Sequence, residues 1–132
     1  MKAMNLIQEI HKDLERAQNA LQSAERNFSE KDYYTSANRL FVACESAVYA
    51  FLKLEYGSIS ISRERILTRL KEIDQVMKET YDQSYDLRVQ ADYGKQSKLL
   101  PLTEENVKVM LLQVTKIIQQ IKNHIQQKRV QQ

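Results

Sequence analysis

Arg88 and Asp92 stand four residues apart, with Tyr93 and Gly94 directly after them, in the run Arg88-Val89-Gln90-Ala91-Asp92-Tyr93-Gly94. A four-residue step puts a guanidinium and a carboxylate on one face of a helix. The phenol follows in the last turn, and glycine can take the left-handed backbone that ends a helix. A guanidinium can hold a phosphate or stabilise charge developing on one, and a carboxylate can orient it. A phenol with its ordinary pKa of about 10 is a poor base at neutral pH. Tyr81 and Tyr85 extend the same mixed stripe, and Asn38, Arg39 and Glu45 interrupt an otherwise apolar helix. Arg88, Asp92, Tyr93, Tyr85, Asn38 and Arg39 are therefore the candidate residues of a ligand or partner cleft. The plain alternative is a helix salt bridge, worth only ~0.3–0.5 kcal/mol if exposed.

Other chemistries find no support. No glycine loop could cradle a phosphate, no cluster has metal-ligand spacing, and no nucleophile has a base beside it. A metal-dependent or nucleotide-hydrolysing enzyme is not expected, and no cofactor is implied. Cys44 stands alone in an apolar run and reads as a small buried hydrophobe, in keeping with a reducing cytosol. No stretch reads as a membrane span or signal-peptide core, so a cytoplasmic protein is expected. The net charge of +3 hides an asymmetry. Residues 1–92 carry 13 Lys and Arg against 15 Asp and Glu, whereas residues 93–132 carry 7 against 2. Lys108, Lys116, Lys122, Lys128 and Arg129 recur beyond the last acid, Glu105, which suits RNA, another polyanion or an acidic partner. No aromatic side chains interleave with these cations for base stacking, so a solvated helix face explains them as well.

The elements that must position the Arg88 run are helical. With 132 residues, two glycines and one proline, the chain is long enough for one core and shows no strand-like alternation. A first helix follows Leu6, Ile10, Leu14, Ala17, Leu21, Ala24 and Phe28, apolar on one face. Ser29 to Asp32 offers a hydroxyl cap with an acid three residues later, predicting the start of a second helix. That helix carries Tyr34, Ala37, Phe41, Cys44, Val48 and Phe51, with further apolar residues on both flanks, so it should lie at the centre. Tyr56-Gly57-Ser58 closes it, and Ser62 can cap a third helix bearing Ile66, Leu70, Ile73 and Met77. Thr80 to Ser84 is poor in strong helix formers, which predicts a separate or bent segment from Tyr81 to Tyr93. A loop from Gly94 to Leu102 leads to a last helix along Val107, Leu111, Val114, Ile118, Ile121 and Ile125. The expected fold is an all-α, up-and-down four-helix bundle over residues 1–125. An additional short helix bears Arg88, and a loose polar tail covers 126–132. The many tyrosines suit a homodimer interface or the ends of the core.

Three segments in order give the chain a family resemblance. They are Asp32-Tyr33-Tyr34-Thr35-Ser36-Ala37-Asn38-Arg39-Leu40-Phe41-Val42-Ala43-Cys44, the Arg88 to Tyr93 run, and Leu102-Thr103-Glu104-Glu105 opening the last helix. Together they resemble a HEPN domain, the small helical-bundle family, over about Leu14 to Ile121. Arg followed by Ala-Asp-Tyr is similar to the signature of one prokaryotic branch. Val42 departs from the usual second aromatic of the second-helix run.

The resemblance implies two kinds of function. Many HEPN proteins are metal-independent ribonucleases that dimerise so that an Arg, with a His four to six residues later, faces its symmetry mate across a cleft. Here Tyr93 occupies the nearest His position, and His11 and His124 belong to other helices. The expectation is therefore a non-catalytic or regulatory module paired with a minimal nucleotidyltransferase in a toxin-antitoxin-like system. Such a module binds nucleotide, RNA or that partner around Arg88. The resemblance further implies that Tyr93 could accept a nucleotidyl group from the partner. The alternative is a ribonuclease of altered chemistry, in which Arg88 stabilises charge and Tyr93, Asp92 or a group from elsewhere handles the proton.

Overall fold

The computed structural model describes residues 2–57 and 62–131, with side chains for 5–57 and 62–128. Ser58, the side chain of Arg129 and Gln132 lie outside the described residues. Five helices follow in order: α1 (Lys2–Ser29), α2 (Tyr33–Tyr56), α3 (Arg63–Ile73), α4 (Gln75–Tyr93) and α5 (Glu104–Gln131). No strand occurs among the described residues. Four long helices and one short one make the expected bundle, but the short member is α3. Arg88 belongs to α4, a helix of 19 residues.

The break falls at Asp74 and not near Tyr81. Asp74 has extended backbone, and its N–H donates to the Leu70 carbonyl at 2.7 Å, which ends α3. One carboxylate oxygen accepts the Met77 N–H at 3.0 Å, which starts α4, and the other accepts from Gln120 of α5 at 3.0 Å. Thr80 to Ser84 stays helical because Thr80, Tyr81 and Ser84 are buried. The Thr80 and Ser84 hydroxyls donate to the Val76 and Tyr81 carbonyls, each at 3.0 Å. Burial overrides a weak local propensity here. Met77, expected on the third helix, is a core residue of α4, and Ile73 is exposed.

The turn between α1 and α2 is also built differently from its expected form. Ser29 remains in α1 with its hydroxyl donating to the Glu25 carbonyl at 3.0 Å. The cap of α2 is Asp32, whose carboxylate accepts the Thr35 N–H at 3.1 Å. Between them Lys31 is held in the left-handed region, with φ of 64°, while the Asp32 N–H reaches back to the Asn27 carbonyl at 2.8 Å. This is the glycine position of a helix C-terminus occupied by a residue with a Cβ. Lys31→Gly should raise stability by about 0.5–1 kcal/mol, read as a melting temperature a few degrees higher. A lower melting temperature would contradict it.

Helix α2 packs against α1, α4 and α5 and is the centre of the bundle. Ala37, Leu40, Phe41, Cys44, Ala47 and Val48 are all buried. Alanines on both α1 (Ala17, Ala20, Ala24) and α2 allow these two helices to approach closely, and the buried Ser36 hydroxyl donates to the Ala24 carbonyl at 2.9 Å. Tyr34, expected on the apolar stripe, is 63% exposed. Burial pushes the Cys44 thiol up to about 12, as suits a packing residue. On α5 the buried face includes Met110 and Ile117 besides the expected positions, while Leu111 is half-buried. The backbone of α5 stays helical across Gln126 to Gln131. Lys128 and His124 both reach the Glu55 carboxylate, and the His124 hydrogen bond holds that carboxyl below its usual range. Among the described residues no helix is long and apolar enough to cross a membrane.

Candidate functional site

Two helices bring the expected polar residues together. Gly94, with φ of 63°, ends α4, and its N–H donates to the Gln90 carbonyl at 3.1 Å. This closes the last turn, which carries Asp92. Across the interface Asn38 lies in the second turn of α2. Asn38 Nδ2 donates to Asp92 Oδ2 at 2.8 Å, and Arg88 Nε donates to the same oxygen at 3.2 Å. Arg39 Nε and Nη2 both donate to Asn38 Oδ1, at 3.0 and 2.9 Å. The Asn38 amide therefore has one usable orientation: reversed, its NH₂ would face a guanidinium and its oxygen a carboxylate. Arg39, Asn38, Asp92 and Arg88 form one chain of hydrogen bonds with a cation at each end.

An aromatic floor supports the Arg88 end. Phe41 is 1% exposed, and the Arg88 guanidinium lies 5.3 Å from its ring centroid. The Tyr81 and Tyr85 rings contact Phe41 with centroids 5.5 Å away in each case. One turn further along α2, burial raises the Glu45 carboxyl above its ordinary range, opposed by the Tyr49 hydroxyl and by the charges of Arg88 and Arg16. At the other end, Arg39 lines a cavity of about 470 Å³ with Lys12 and Arg16 of α1. The polar chain thus continues into a groove where three cations face Glu15.

Two expected site residues are placed apart from this chain. The Tyr85 ring lies under the guanidinium of Arg63, 4.0 Å from centroid to carbon, and Phe41 is its link to Arg88. Tyr93 is 65% exposed at the end of α4 and makes no hydrogen bond or ring contact among the described residues. Two residues that matter locally escaped the sequence reading. Asp86 is 4% exposed, and its carboxylate accepts the N–H groups of Lys98, Leu99 and Leu100 at 3.1–3.2 Å. Gln90 donates to Asp86 and to the Leu100 carbonyl and accepts the Leu102 N–H at 2.9 Å. A detectable signal existed: Asp86 and Gln90 are four apart on the helix that precedes a loop whose backbone donors need acceptors.

This arrangement can hold an anion at Arg88 or Arg39. Proton transfer has less support, because His11 lies on α1 and His124, on α5, pairs with Glu55 of α2. Among the described residues no group of His, Cys, Asp and Glu could hold a metal ion. No curated protein matches the chain. The family model of the HEPN domain matches residues 10–124, from the first third of α1 to near the end of α5, and it takes in every residue of the Arg39 to Arg88 chain. With most of its length matched, this helical bundle belongs to the HEPN domain family.

Proposed function

We propose that the chain is a HEPN binding module, one half of a pair with a minimal nucleotidyltransferase in a toxin-antitoxin-like system. Its polar cleft around Arg88 takes a phosphate-bearing ligand, a nucleotide or RNA, or a side chain of that partner. The observation that carries the reading is the chain of hydrogen bonds from Arg39 through Asn38 and Asp92 to Arg88. It orients two guanidinium groups beside a cationic groove and includes no imidazole. Guanidinium groups held in place before a ligand arrives lose less freedom on binding. HEPN domains often form dimers, and exposed Tyr34 and Tyr93 near this cleft suit a homodimer contact. The exposure of Tyr93 also suits a phenol that accepts a nucleotidyl group.

A second reading is favoured by Glu45. Burial raises its carboxyl above the ordinary range and the charge of Arg88 acts against that rise, an environment that suits a proton acceptor in a ribonuclease of altered chemistry. One experiment separates the two. The purified protein and Arg88→Ala are incubated with bulk tRNA and mRNA in EDTA, then run on denaturing and native gels. The binding reading expects intact RNA, a shift weakened about tenfold or more in the variant, and nearly unchanged folding, since the Arg88–Asp92 pair is partly exposed. RNA cut by the parent and spared by both Arg88→Ala and Glu45→Gln would establish the enzyme reading. Equal binding of RNA, nucleotide and partner by parent and variant would remove the cleft from both.

A further inference from the structure

A second group of cations surrounds a cavity of about 240 Å³ on the neighbouring face of α4, about a quarter-turn round the helix from Arg88. Arg63 from the start of α3, Tyr85 of α4, and Lys95 and Lys98 of the following loop line it, together with Asp82 and Asp86. The Arg63 guanidinium lies on the Tyr85 ring, its Nη2 pairs with Asp82, and its buried Nε has no hydrogen-bond partner among the described residues. Lys95 and Lys98 form no ion pair among the described residues and are exposed.

The two acids in the wall are both engaged. Asp82 is matched by Arg63, and Asp86 faces three backbone N–H groups and Gln90. Those same bonds fix the loop at Lys98 to Leu100, so the lysine-bearing backbone is ordered before any ligand arrives. Lys95 and Lys98, which form no ion pair among the described residues, and Arg63, whose Nε has no partner there, therefore line a space smaller than the roughly 300–1,000 Å³ of ordinary small-molecule pockets. Arg63 covers one face of the Tyr85 ring, so that face offers no platform for a base.

We propose that this cavity is an anion site for a phosphate monoester, held between Arg63, Lys95 and Lys98 and recognised through its phosphate alone. It does not depend on the cleft at Arg88. The phosphate can come from a free nucleotide or from the phosphorylated end of an RNA strand, since the recognising chemistry is the same.

The full chain is titrated calorimetrically with inorganic phosphate, with AMP, and with one short RNA carrying either a 5′-phosphate or a 5′-hydroxyl. Phosphate-bearing probes should bind and the 5′-hydroxyl RNA should bind at least tenfold more weakly. Comparable binding of AMP and phosphorylated RNA points to the free nucleotide, and a clear preference for the latter to the strand end. The double variant Lys95→Gln, Lys98→Gln should weaken binding about tenfold for each ammonium lost, because each charge-assisted hydrogen bond contributes on that order. Arg63→Lys, with its fold checked by circular dichroism, should also weaken binding, since the planar fork is lost. The titrations are repeated in the Arg88→Ala background, which takes away the cleft's own contribution, and phosphate binding that the two lysine substitutions abolish should remain there. The proposal is overturned if no phosphate probe binds, if binding survives the double lysine variant, or if Arg88→Ala removes it.

Discussion

Asp86→Ala is expected to destabilise the protein by about 2–4 kcal/mol and to free the loop between α4 and α5. The Asp86 carboxylate is buried and accepts three consecutive backbone N–H groups together with the Gln90 amide. Alanine removes every acceptor at once and leaves donors facing a small void, so the segment must move toward water or remain unpaired. In thermal unfolding the loss should appear as a melting temperature lower by roughly 10 °C. Hydrogen exchange should show a local effect larger than the global one, with the amides of Lys98, Leu99 and Leu100 exchanging much faster than those of α2. Asp86→Asn keeps the shape but turns an acceptor into a donor aimed at N–H groups, so it should recover only part of the loss. Unchanged protection at those three amides in Asp86→Ala would show that the carboxylate does not hold the loop.

Phe41→Ala carries the other large effect, about 3–5 kcal/mol of destabilisation. The ring is fully enclosed, with Tyr81 and Tyr85 against it and the Arg88 guanidinium beyond its face. Its removal opens a cavity in α2, the helix that packs against α1, α4 and α5, where a close-packed core collapses only partly to fill the space. The same ring supports the cleft, so ligand affinity should fall even where the variant remains folded. Phe41→Leu separates the two effects. It restores most of the volume but not the aromatic face under Arg88, so much of the stability should return without full binding. Denaturant unfolding of the three proteins, beside their ligand titrations, checks this. Full affinity in Phe41→Leu would mean that the ring acts by volume alone.

Asp86 and Phe41 act on different parts of α4. Phe41 supports Arg88 from below, while Asp86 and Gln90 secure the chain that leaves the helix after Gly94. The cleft at Arg88 and the cavity at Arg63 share α4 and both rest on Phe41, the cavity through Tyr85, whereas only the cavity's loop is held by Asp86. Substitutions at Lys95 and Lys98 therefore test the cavity without touching the cleft.

Features set by short-range geometry were legible in the sequence. The 3.6-residue repeat of apolar side chains dictated helices and an all-α bundle, because a helix with one apolar stripe must cover it with other helices. The left-handed stop at Gly94 and the pairing of Arg88 with Asp92 follow from steps of a few residues along one chain segment. The identity of the central helix was legible for the same reason, since α2 is apolar around most of its circumference.

Features that depend on which faces meet were decided by the tertiary structure. Asn38 and Asp92 are 54 positions apart, and only the packing of α2 on α4 makes them partners. Tyr85 shares a sequence stripe with Arg88, yet its ring is covered by Arg63 of α3, which no periodicity could reveal. Thr80 to Ser84 stays helical because the core buries it, and the break moves to Asp74, where one carboxylate caps α4 and accepts a hydrogen bond from α5. Local propensities differ by a few tenths of a kcal/mol per residue, whereas burying a side chain or satisfying a buried carboxylate is worth about one to three. The repeat along the chain determined what kind of elements form; the larger, non-local energies of packing decided where they break and which polar groups they bring together.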